Sequence, residues 1–298
     1  MNATLQFMNN SFDSLKKKDP FSDEILALWV PVASYWLFST FFHLLTKANI
    51  PYFEQYRIHS IGDMQKRNKV SMARVLSMVA LQQLIQVVLG ILVLHPLDPV
   101  SYAIREENTI NSITAFFFNH YHSIHFAHIL AKYIYFVLLP CLQFLSAMFI
   151  MDAHQYFFHR LFHMNKFLYK HVHSHHHRLY VPYAFGALYN HPIEGFFMDS
   201  LGAAIAIEVT RMTPHMSMLF FTFSTIKTVD DHCGYALPWD PLQFLFGNNV
   251  QYHDIHHQSY GVKRNFSQPF FTIWDKLLGT EMSIKEAEKR GGFKKNTT

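Results

Sequence analysis

The chain has 298 residues, of which 50% are hydrophobic and 16% aromatic, while only 15% are Asp, Glu, Lys or Arg. Soluble domains usually carry about a quarter charged residues, so this composition argues against a soluble protein and for one that meets lipid. The formal net charge is +4 without a basic motif, so nucleic-acid binding is not indicated. Cys141 and Cys233, the two cysteines, are too few for a disulfide framework and are interpreted as free thiols.

Residues 25–151 are predicted to form a transmembrane region with three spans. The stretches 25–46 and 75–95 contain no Asp, Glu, Lys or Arg. At about 1.5 Å per residue, each is long enough to cross a hydrocarbon core of about 30 Å. The third span is predicted near 125–151, where Lys132 lies close to one end and an uncharged run follows.

The distribution of basic residues predicts how these spans are oriented. The loop between the first two spans is rich in Lys and Arg, whereas the loop 96–125 contains one Arg and no Lys. By the positive-inside rule the first loop is cytosolic and the second is lumenal. Residues 1–24, which are polar and lack the apolar core of a signal peptide, are therefore predicted to be a lumenal segment.

Three clusters of histidines begin just after the third span. His159 and His163 are four residues apart, and the motifs HSHHH and HDIHH both place histidines at positions i, i+3 and i+4. In a helix these positions share one face, and imidazole is the commonest metal-binding side chain. The clusters therefore predict a metal centre, and eight histidines suggest two ions. These candidate catalytic and metal-binding residues are His159, His163, His173, His176, His177, His253, His256 and His257.

Two more histidines are predicted to extend this centre. His191 lies in NHPIE, and His232 follows two aspartates. Alone, each would be interpreted as a surface or capping histidine, but beside a site that is short of one or two ligands each is predicted to bind the metal. His154, His171 and His175 fall off the common faces and are not expected to bind metal. Nearby carboxylates either orient the ligand imidazoles or are solvated at the membrane surface; they are Asp152, Glu194, Asp230, Asp231 and Asp254.

The donor set narrows the chemistry of the predicted centre. Because no cysteine pair is present, a structural zinc site of the thiolate type is disfavoured, although nitrogen-rich sites also accept Zn, Fe, Cu or Ni. A metal cluster at a membrane surface suits oxidation of a lipid chain, for which iron is the ordinary redox metal; zinc can occupy the same ligands in a purified sample. The rival interpretation, a histidine-rich metal carrier, predicts polar residues inside the spans, and these spans are nearly uncharged.

The region between the second and third histidine clusters contains two apolar stretches, 196–207 and 216–226, each too short to cross a membrane alone. Because the clusters must lie on one side to share a site, this region crosses twice or not at all. It is either a membrane hairpin near 196–226 or a pair of amphipathic helices in the interface. Residues 281–298 are charged and are expected to be a disordered cytosolic tail that carries a dilysine near its end.

The motifs HRLFH, HSHHH and HDIHH resemble the three histidine boxes of the membrane fatty acid hydroxylase superfamily, which includes sterol desaturases and sterol methyl oxidases. The longer stretches within 152–280 resemble the fungal sphingolipid 4-hydroxylases, and this range is expected to be the catalytic domain. These stretches are NKFLYKHVHSHHHRLYVPYAFGALYNHPIEG, TFSTIKTVDDHCGYALPWDP, FGNNVQYHDIHHQ and NFSQPFFTIWDKLLGT.

The resemblance implies an all-α, multi-pass enzyme of the endoplasmic reticulum membrane, with about four membrane-embedded helices or hairpins and a cytosolic helical histidine-rich di-metal domain. It implies two iron ions held by ten histidines, His191 and His232 included. The reaction would be hydroxylation of carbon 4 of sphinganine or dihydroceramide to the phytosphingosine backbone. It would use dioxygen and electrons from NADPH or NADH, delivered by a separate cytochrome b5 and its reductase. Membrane lipids and other sphingolipid-synthesis enzymes are the expected neighbours, and a sterol or lipid desaturase or methyl oxidase is the alternative.

Overall fold

The computed structural model describes residues 21–93 and 99–293, and over these ranges the chain folds into helices without a β-strand. The predicted all-α membrane architecture is confirmed. The longer helices are Asp23–Ala48, Met72–Val93, Pro99–Tyr121, Gly202–Thr210 and Pro214–Asp231, together with Ile124–Tyr133 and Leu139–Met164, which the π-helical segment Ile134–Leu138 joins. The shorter α-helices are Pro51–Glu54, Ile61–Arg67, Lys166–His171, Pro192–Gly195, Pro241–Phe244, Val250–His257, Ile273–Leu277 and Ile284–Lys289. Two 3-10 segments, His173–Arg178 and Ala184–Gly186, and a second π-helical segment, Phe196–Leu201, complete the set.

Three helices are long and apolar enough to cross a membrane: Asp23–Ala48, Met72–Leu92 and Ile124–Met164. We call them the first, second and third spans. The first and third contain the predicted stretches 25–46 and 125–151, and the second covers the predicted stretch 75–95 as far as Leu92. The third is a continuous helix of 41 residues rather than a span that stops near residue 151, so the first histidine cluster lies on its last turns.

The third span continues past residue 151 because the side chains there are packed inside the protein. Asp152 is fully buried, and its carboxylate accepts hydrogen bonds from the backbone N–H groups of Phe270 and Phe271, at 3.1 and 2.6 Å. A charged residue at this position therefore does not mark the membrane surface. It anchors a later loop against the helix.

The chain between the second and third clusters forms a helical hairpin. Its first arm runs from Pro192 through the π-helical segment to Thr210, and its second arm is Pro214–Asp231. Arg211 makes the turn with a positive φ of 56°, and the Thr213 hydroxyl caps the second arm. We call this unit, residues 192–231, the hairpin.

The hairpin runs alongside the spans along most of their length. Its second arm packs along the first span, and His215 lies 3.5 Å from Asp23, so both helices begin at the same level. The Gln143 side chain in the third span donates a 2.9 Å hydrogen bond to the carbonyl of Thr210, next to the hairpin turn. The hairpin turn at Arg211 therefore lies at the same level as the start of the first span, at the end of the bundle away from the histidine clusters.

The basic loop between the first two spans packs on the histidine region. The Asn68 side chain exchanges two hydrogen bonds with the backbone of Val181, at 2.8 and 2.9 Å. His59 Nε2 lies 2.8 Å from a carboxylate oxygen of Asp254, in the third histidine cluster. Because these contacts are direct, the basic loop and the histidine motifs lie on the same side of the bundle of spans.

Two parts of the chain differ from expectation. The described part of the predicted loop 96–125 is largely helix Pro99–Tyr121, which packs antiparallel to Ile124–Tyr133. The beginning of the expected disordered tail is ordered, because helix Ile284–Lys289 buries Ala287 and the preceding Met282 against Ile255. Residues 1–20 and the dilysine fall outside the described residues.

The cysteines agree with the sequence-based interpretation. Cys141 is exposed and Cys233 is buried, and both are free thiols.

Gly261 is the position where the fold around the third cluster tolerates a side chain least. A Cβ there would lie 1.9 Å from the carbonyl oxygen of Ile255, in the helix that carries three histidines. Because this neighbour is backbone, Gly261→Ala is expected to destabilise the protein by about 1–3 kcal/mol and to lower its metal content. The melting temperature in detergent and the metal-to-protein ratio measure both effects. Gly62→Ala is the control, since a Cβ at Gly62 meets only the Ser60 hydroxyl at 3.7 Å, and an equal loss there would contradict the prediction.

Candidate metal centre

Four separate segments bring the predicted histidines together. The last two turns of the third span carry His159 and His163, and Asn165 then ends that helix and caps the next one. This break turns the 3-10 segment His173–Arg178 back against the span. His232 follows the second arm of the hairpin, and the remaining three histidines lie on the helix Val250–His257.

Nine of the ten predicted histidines form two buried groups. In each group, one ring nitrogen of every histidine lies within 4.8 Å of the others. The five-histidine group consists of His159, His163, His173, His177 and His256, and the four-histidine group consists of His176, His232, His253 and His257. The second and third clusters each contribute to both groups, because a run of three histidines on one helical face is wide enough to reach two neighbouring centres.

The spacing of the ring nitrogens fits ligands of a shared ion. In the five-histidine group, His177 Nε2 lies 3.1 Å from His163 Nε2 and 3.0 Å from His173 Nε2. In the four-histidine group, His253 Nε2 lies 3.0 Å from His232 Nε2 and 3.1 Å from His257 Nε2. Two nitrogens bound at about 2.1 Å from one ion and at right angles to each other lie about 3.0 Å apart.

In most rings, the contact made by the nitrogen that faces away from the group determines which nitrogen is free to bind a metal ion. Five Nδ1 atoms lie 2.7–3.2 Å from backbone carbonyl oxygens, to which only a protonated nitrogen can donate. The proton therefore resides on Nδ1, and Nε2 carries the lone pair that a metal ion requires. The five pairs are His159 with Phe266, His176 with Tyr189, His232 with Thr228, His256 with Arg264, and His257 with Leu179.

Burial keeps these imidazoles neutral. Desolvation disfavours the charged ring, which lowers the pKa of His173 to about 3 and that of His176 to about 4. Desolvation, reinforced by the neighbouring His176, lowers the pKa of His232 to about 3. The rings are therefore in their metal-binding form at neutral pH without help from the metal.

Five carboxylates were predicted as possible partners of the ligand histidines. Of these, Glu194 contacts a clustered histidine, His173 of the five-histidine group. Its Oε1 lies 2.5 Å from His173 Nδ1, and its Oε2 has no hydrogen-bond partner among the residues that the structure describes. The other carboxylates bond elsewhere: Asp152 to Phe270 and Phe271, Asp230 to Gln243, Asp231 to Lys227 and Asn248, and Asp254 to His59 and Gln258.

His191 belongs to neither group. Its ring lies 5.3 Å from the ring of His175, and its Nδ1 accepts a hydrogen bond from the backbone N–H of Ile193. The local reason is the NHPI sequence, in which Pro192 starts a short helix and His191 occupies the capping position before it. His154, which was not expected to bind metal, contacts the carbonyl of Phe197 instead.

A small cavity borders both groups and contains residues that the sequence pattern did not indicate. Rings of both groups line it, together with Gln155, Asn190 and Asp199. Asp199 lies within the apolar stretch 196–207, where a single carboxylate in an otherwise apolar run was the signal that could have identified it. Amides such as Gln155 and Asn190 carry no comparable signal in a single sequence.

Comparison with known proteins agrees with this geometry. The fatty acid hydroxylase family model matches residues 144–280. The sphingolipid C4-hydroxylase of Schizosaccharomyces pombe is 46% identical over 267 residues, which cover 87% of this chain and 89% of the relative. The chain belongs to the fatty acid hydroxylase family. The predicted enzyme class, an oxidoreductase of the hydroxylase type, is thereby confirmed.

Two plant relatives show the range of names within this family. Sphinganine C4-monooxygenase 1 of Arabidopsis thaliana is 44% identical, with 93% of this chain and 95% of the relative covered. A protein of Oryza sativa named very-long-chain aldehyde decarbonylase is 42% identical, with 91% and 94% covered. No solved structure matches the chain.

The contact between Glu194 and His173 predicts that this carboxylate supports metal binding. Glu194→Gln keeps the shape of the side chain but removes the charge that holds the His173 ring. We expect metal affinity to fall roughly 10- to 100-fold, as is typical when a partner of a ligand histidine is lost. Metal retained after graded exposure to a chelator measures the change.

Glu208→Gln is the matched control, because Glu208 is on the same hairpin but its side chain is 76% exposed. Equal retention of metal by the Glu194→Gln and Glu208→Gln proteins would contradict the role assigned to Glu194.

Proposed function

We propose that this enzyme hydroxylates carbon 4 of a sphinganine-type long-chain base, free or N-acylated, to give the phytosphingosine backbone. The observation that carries the proposal is the pair of buried histidine groups in a chain whose relatives of nearly equal length are named for this reaction. The aldehyde decarbonylase and a sterol or lipid desaturase or oxidase remain the activities against which it has to be tested.

The two groups suit two iron ions, one held by His159, His163, His173, His177 and His256 and the other by His176, His232, His253 and His257. Iron would supply the redox chemistry with dioxygen that an unactivated C–H bond requires. His191, predicted as a tenth ligand, would need its ring to leave the cap of Pro192–Gly195 before it could bind. We therefore propose nine ligands rather than ten.

The chain's own contribution is to hold a dry, neutral and correctly oriented set of donors. Backbone carbonyls keep the protons on the Nδ1 atoms, and Glu194 does the same for His173. Burial of all nine rings excludes water from the centre, which protects it from side reactions during oxidation. The alkyl chain of the substrate would remain among the apolar helices while its head reaches the cavity beside the histidines.

We propose that the protein is a multi-pass enzyme of the endoplasmic reticulum membrane with this centre facing the cytosol. The support is that the basic loop, which the positive-inside rule assigns to the cytosol, is bonded directly to the histidine region. The hairpin would then be membrane-embedded, since its turn lies level with the start of the first span. Electrons from NADPH or NADH would arrive from cytochrome b5 and its reductase on the same side.

Replacing single histidines tests the reaction and the site together. In cells that lack sphingolipid 4-hydroxylase activity, the wild-type chain is expected to produce phytosphingosine, whereas His176→Ala and His257→Ala abolish the product. Each removes one ligand of the four-histidine group. Mass spectrometry of extracted long-chain bases measures the product and distinguishes a 4-hydroxyl group from a 4,5 double bond.

His171→Ala is the control, because this histidine is exposed and outside both groups, so its product level should match the wild type. Full product from the His176→Ala or His257→Ala chain would refute the site. A 4,5-unsaturated product, or turnover of a methylsterol or an aldehyde with sphinganine untouched, would refute the reaction.

The proposed orientation makes a separate prediction. In sealed microsomes, protease is expected to remove a tag placed after Thr298 and to spare a tag placed before Met1, because the chain crosses the membrane an odd number of times. Detergent should expose both tags. Protection of the C-terminal tag in intact vesicles would contradict a cytosolic centre.

A further inference from the structure

Asp199 occupies an unusual position in the hairpin. It lies in the π-helical segment Phe196–Leu201, opposite Gln82, which is ten residues into the second span. Ionisable residues at membrane depth are rare and costly, and they usually mark a functional site. Single π-helical turns also accompany functional sites, because they redirect a side chain within a helix.

Within the described part of the chain, Asp199 is bonded to an amide donor and is not paired with a cation. Gln82 Nε2 donates a 3.1 Å hydrogen bond to Asp199 Oδ2, and the buried Gln82 Oε1 has no partner in residues 21–93 and 99–293. Among the described residues no Lys or Arg forms an ion pair with Asp199. Gly195 leaves room for the Gln82 side chain next to Asp199. A Cβ at residue 195 would lie only 2.4–2.8 Å from the Gln82 carboxamide.

Asp199 faces the same cavity as the candidate metal ligands. The walls include His159 and His173 of the five-histidine group, His176 of the four-histidine group, and Glu194, whose buried Oε2 lacks a partner. The cavity has three carboxylates, Glu194, Asp199 and Asp231. Glu194 already holds His173, and Asp231 is paired with Lys227, so Asp199 is the cavity carboxylate with acceptor capacity to spare. A ligand that supplies several N–H or O–H donors could form hydrogen bonds with the acceptor oxygens of Asp199, Gln82 and Glu194 on this wall.

The geometry points to Asp199, with Gln82, as the residue that binds the polar head of the substrate and so places carbon 4 beside the metal centre. This inference rests on the proposed function. A long-chain base carries donors on carbons 1, 2 and 3, directly next to the carbon to be oxidised. Its head must therefore bind in the cavity that the metal ligands also line, and Asp199 is a carboxylate there with spare acceptor capacity.

Anchoring the head beside the centre also explains how one methylene of a uniform alkyl chain could be selected. The chain itself offers no polar feature that distinguishes carbon 4 from its neighbours. A fixed head at one end and fixed metal ions at the other select the carbon by distance. Loss of the anchor should therefore affect substrate affinity and positional fidelity more than the metal centre.

The test compares Asp199→Asn and Asp199→Glu with wild-type protein in vesicles that contain cytochrome b5, its reductase and NADPH. Sphinganine and dihydroceramide are assayed separately, and KM, kcat, metal content and the position of the new hydroxyl group are measured. For Asp199→Asn we expect metal content to match the wild type and KM to rise about 10-fold or more, since a hydrogen bond to a charged group is lost. Part of the product should carry the hydroxyl group at a neighbouring carbon. Asp199→Glu, which keeps the charge, should recover part of the affinity.

The two substrates show which donor faces Asp199. A larger rise of KM for sphinganine than for dihydroceramide places the ammonium group there, and an equal rise places a hydroxyl group there. Unchanged KM and unchanged product position for both substrates would overturn the inference. It would also be overturned if both variants lost activity only in proportion to lost metal, because Asp199 would then be structural. Absence of phytosphingosine from the wild-type protein would instead refute the proposed function.

Discussion

Nine buried imidazoles face one another, and for six of them a contact on the outer ring nitrogen keeps the inner nitrogen unprotonated. The Nε2 atoms of neighbouring rings lie about 3 Å apart. Two unprotonated Nε2 atoms are both acceptors, so they cannot form a hydrogen bond with each other. A proton on the outer nitrogen is held there by an acceptor in six of the rings, whereas among the described residues His177 Nδ1 and His253 Nδ1 have none. The chain supplies backbone carbonyls from Leu179 and Tyr189 in one loop, and from Arg264 and Phe266 in another. The irregular loops around the site are thus as necessary as the helices that carry the histidines.

Buried carboxylates hold those loops in place. Asp275 is fully buried and accepts hydrogen bonds from the backbone N–H groups of Phe266 and Ser267, at 3.0 and 2.6 Å. Asp152 does the same for Phe270 and Phe271 from the third span. Hydrogen bonds offset part of the desolvation of each carboxylate: Asp152 accepts two, and Asp275 accepts four, including those from the Tyr252 and Thr280 hydroxyl groups. The carbonyl of Phe266 is thereby fixed where His159 requires it.

The hairpin links the metal centre to the membrane-spanning helices. Its first arm begins with Glu194 at His173 and continues through Asp199 at Gln82, while its second arm ends at His232. The buried Lys227 in the second arm is bonded to Asp231 and to the carbonyl of Asn248, so the charge near this end is paired. The hairpin therefore positions a candidate metal ligand, the carboxylate that contacts His173 and a cavity carboxylate with one element.

The sequence by itself determined the helical membrane class, the spans and nine of the histidines that converge, because apolar length and histidine spacing are local properties that a single chain displays. It could not determine how those histidines divide into five and four. Neighbouring residues such as His176 and His177 join different groups, and the division depends on where His232 and the helix Val250–His257 are brought in. It also did not show that His191 caps the helix Pro192–Gly195 away from both groups, or that residues 282–289 are ordered by burial against Ile255. Asp199 lay unnoticed in an apolar stretch, because only tertiary packing places it opposite Gln82 and at the cavity beside the histidines.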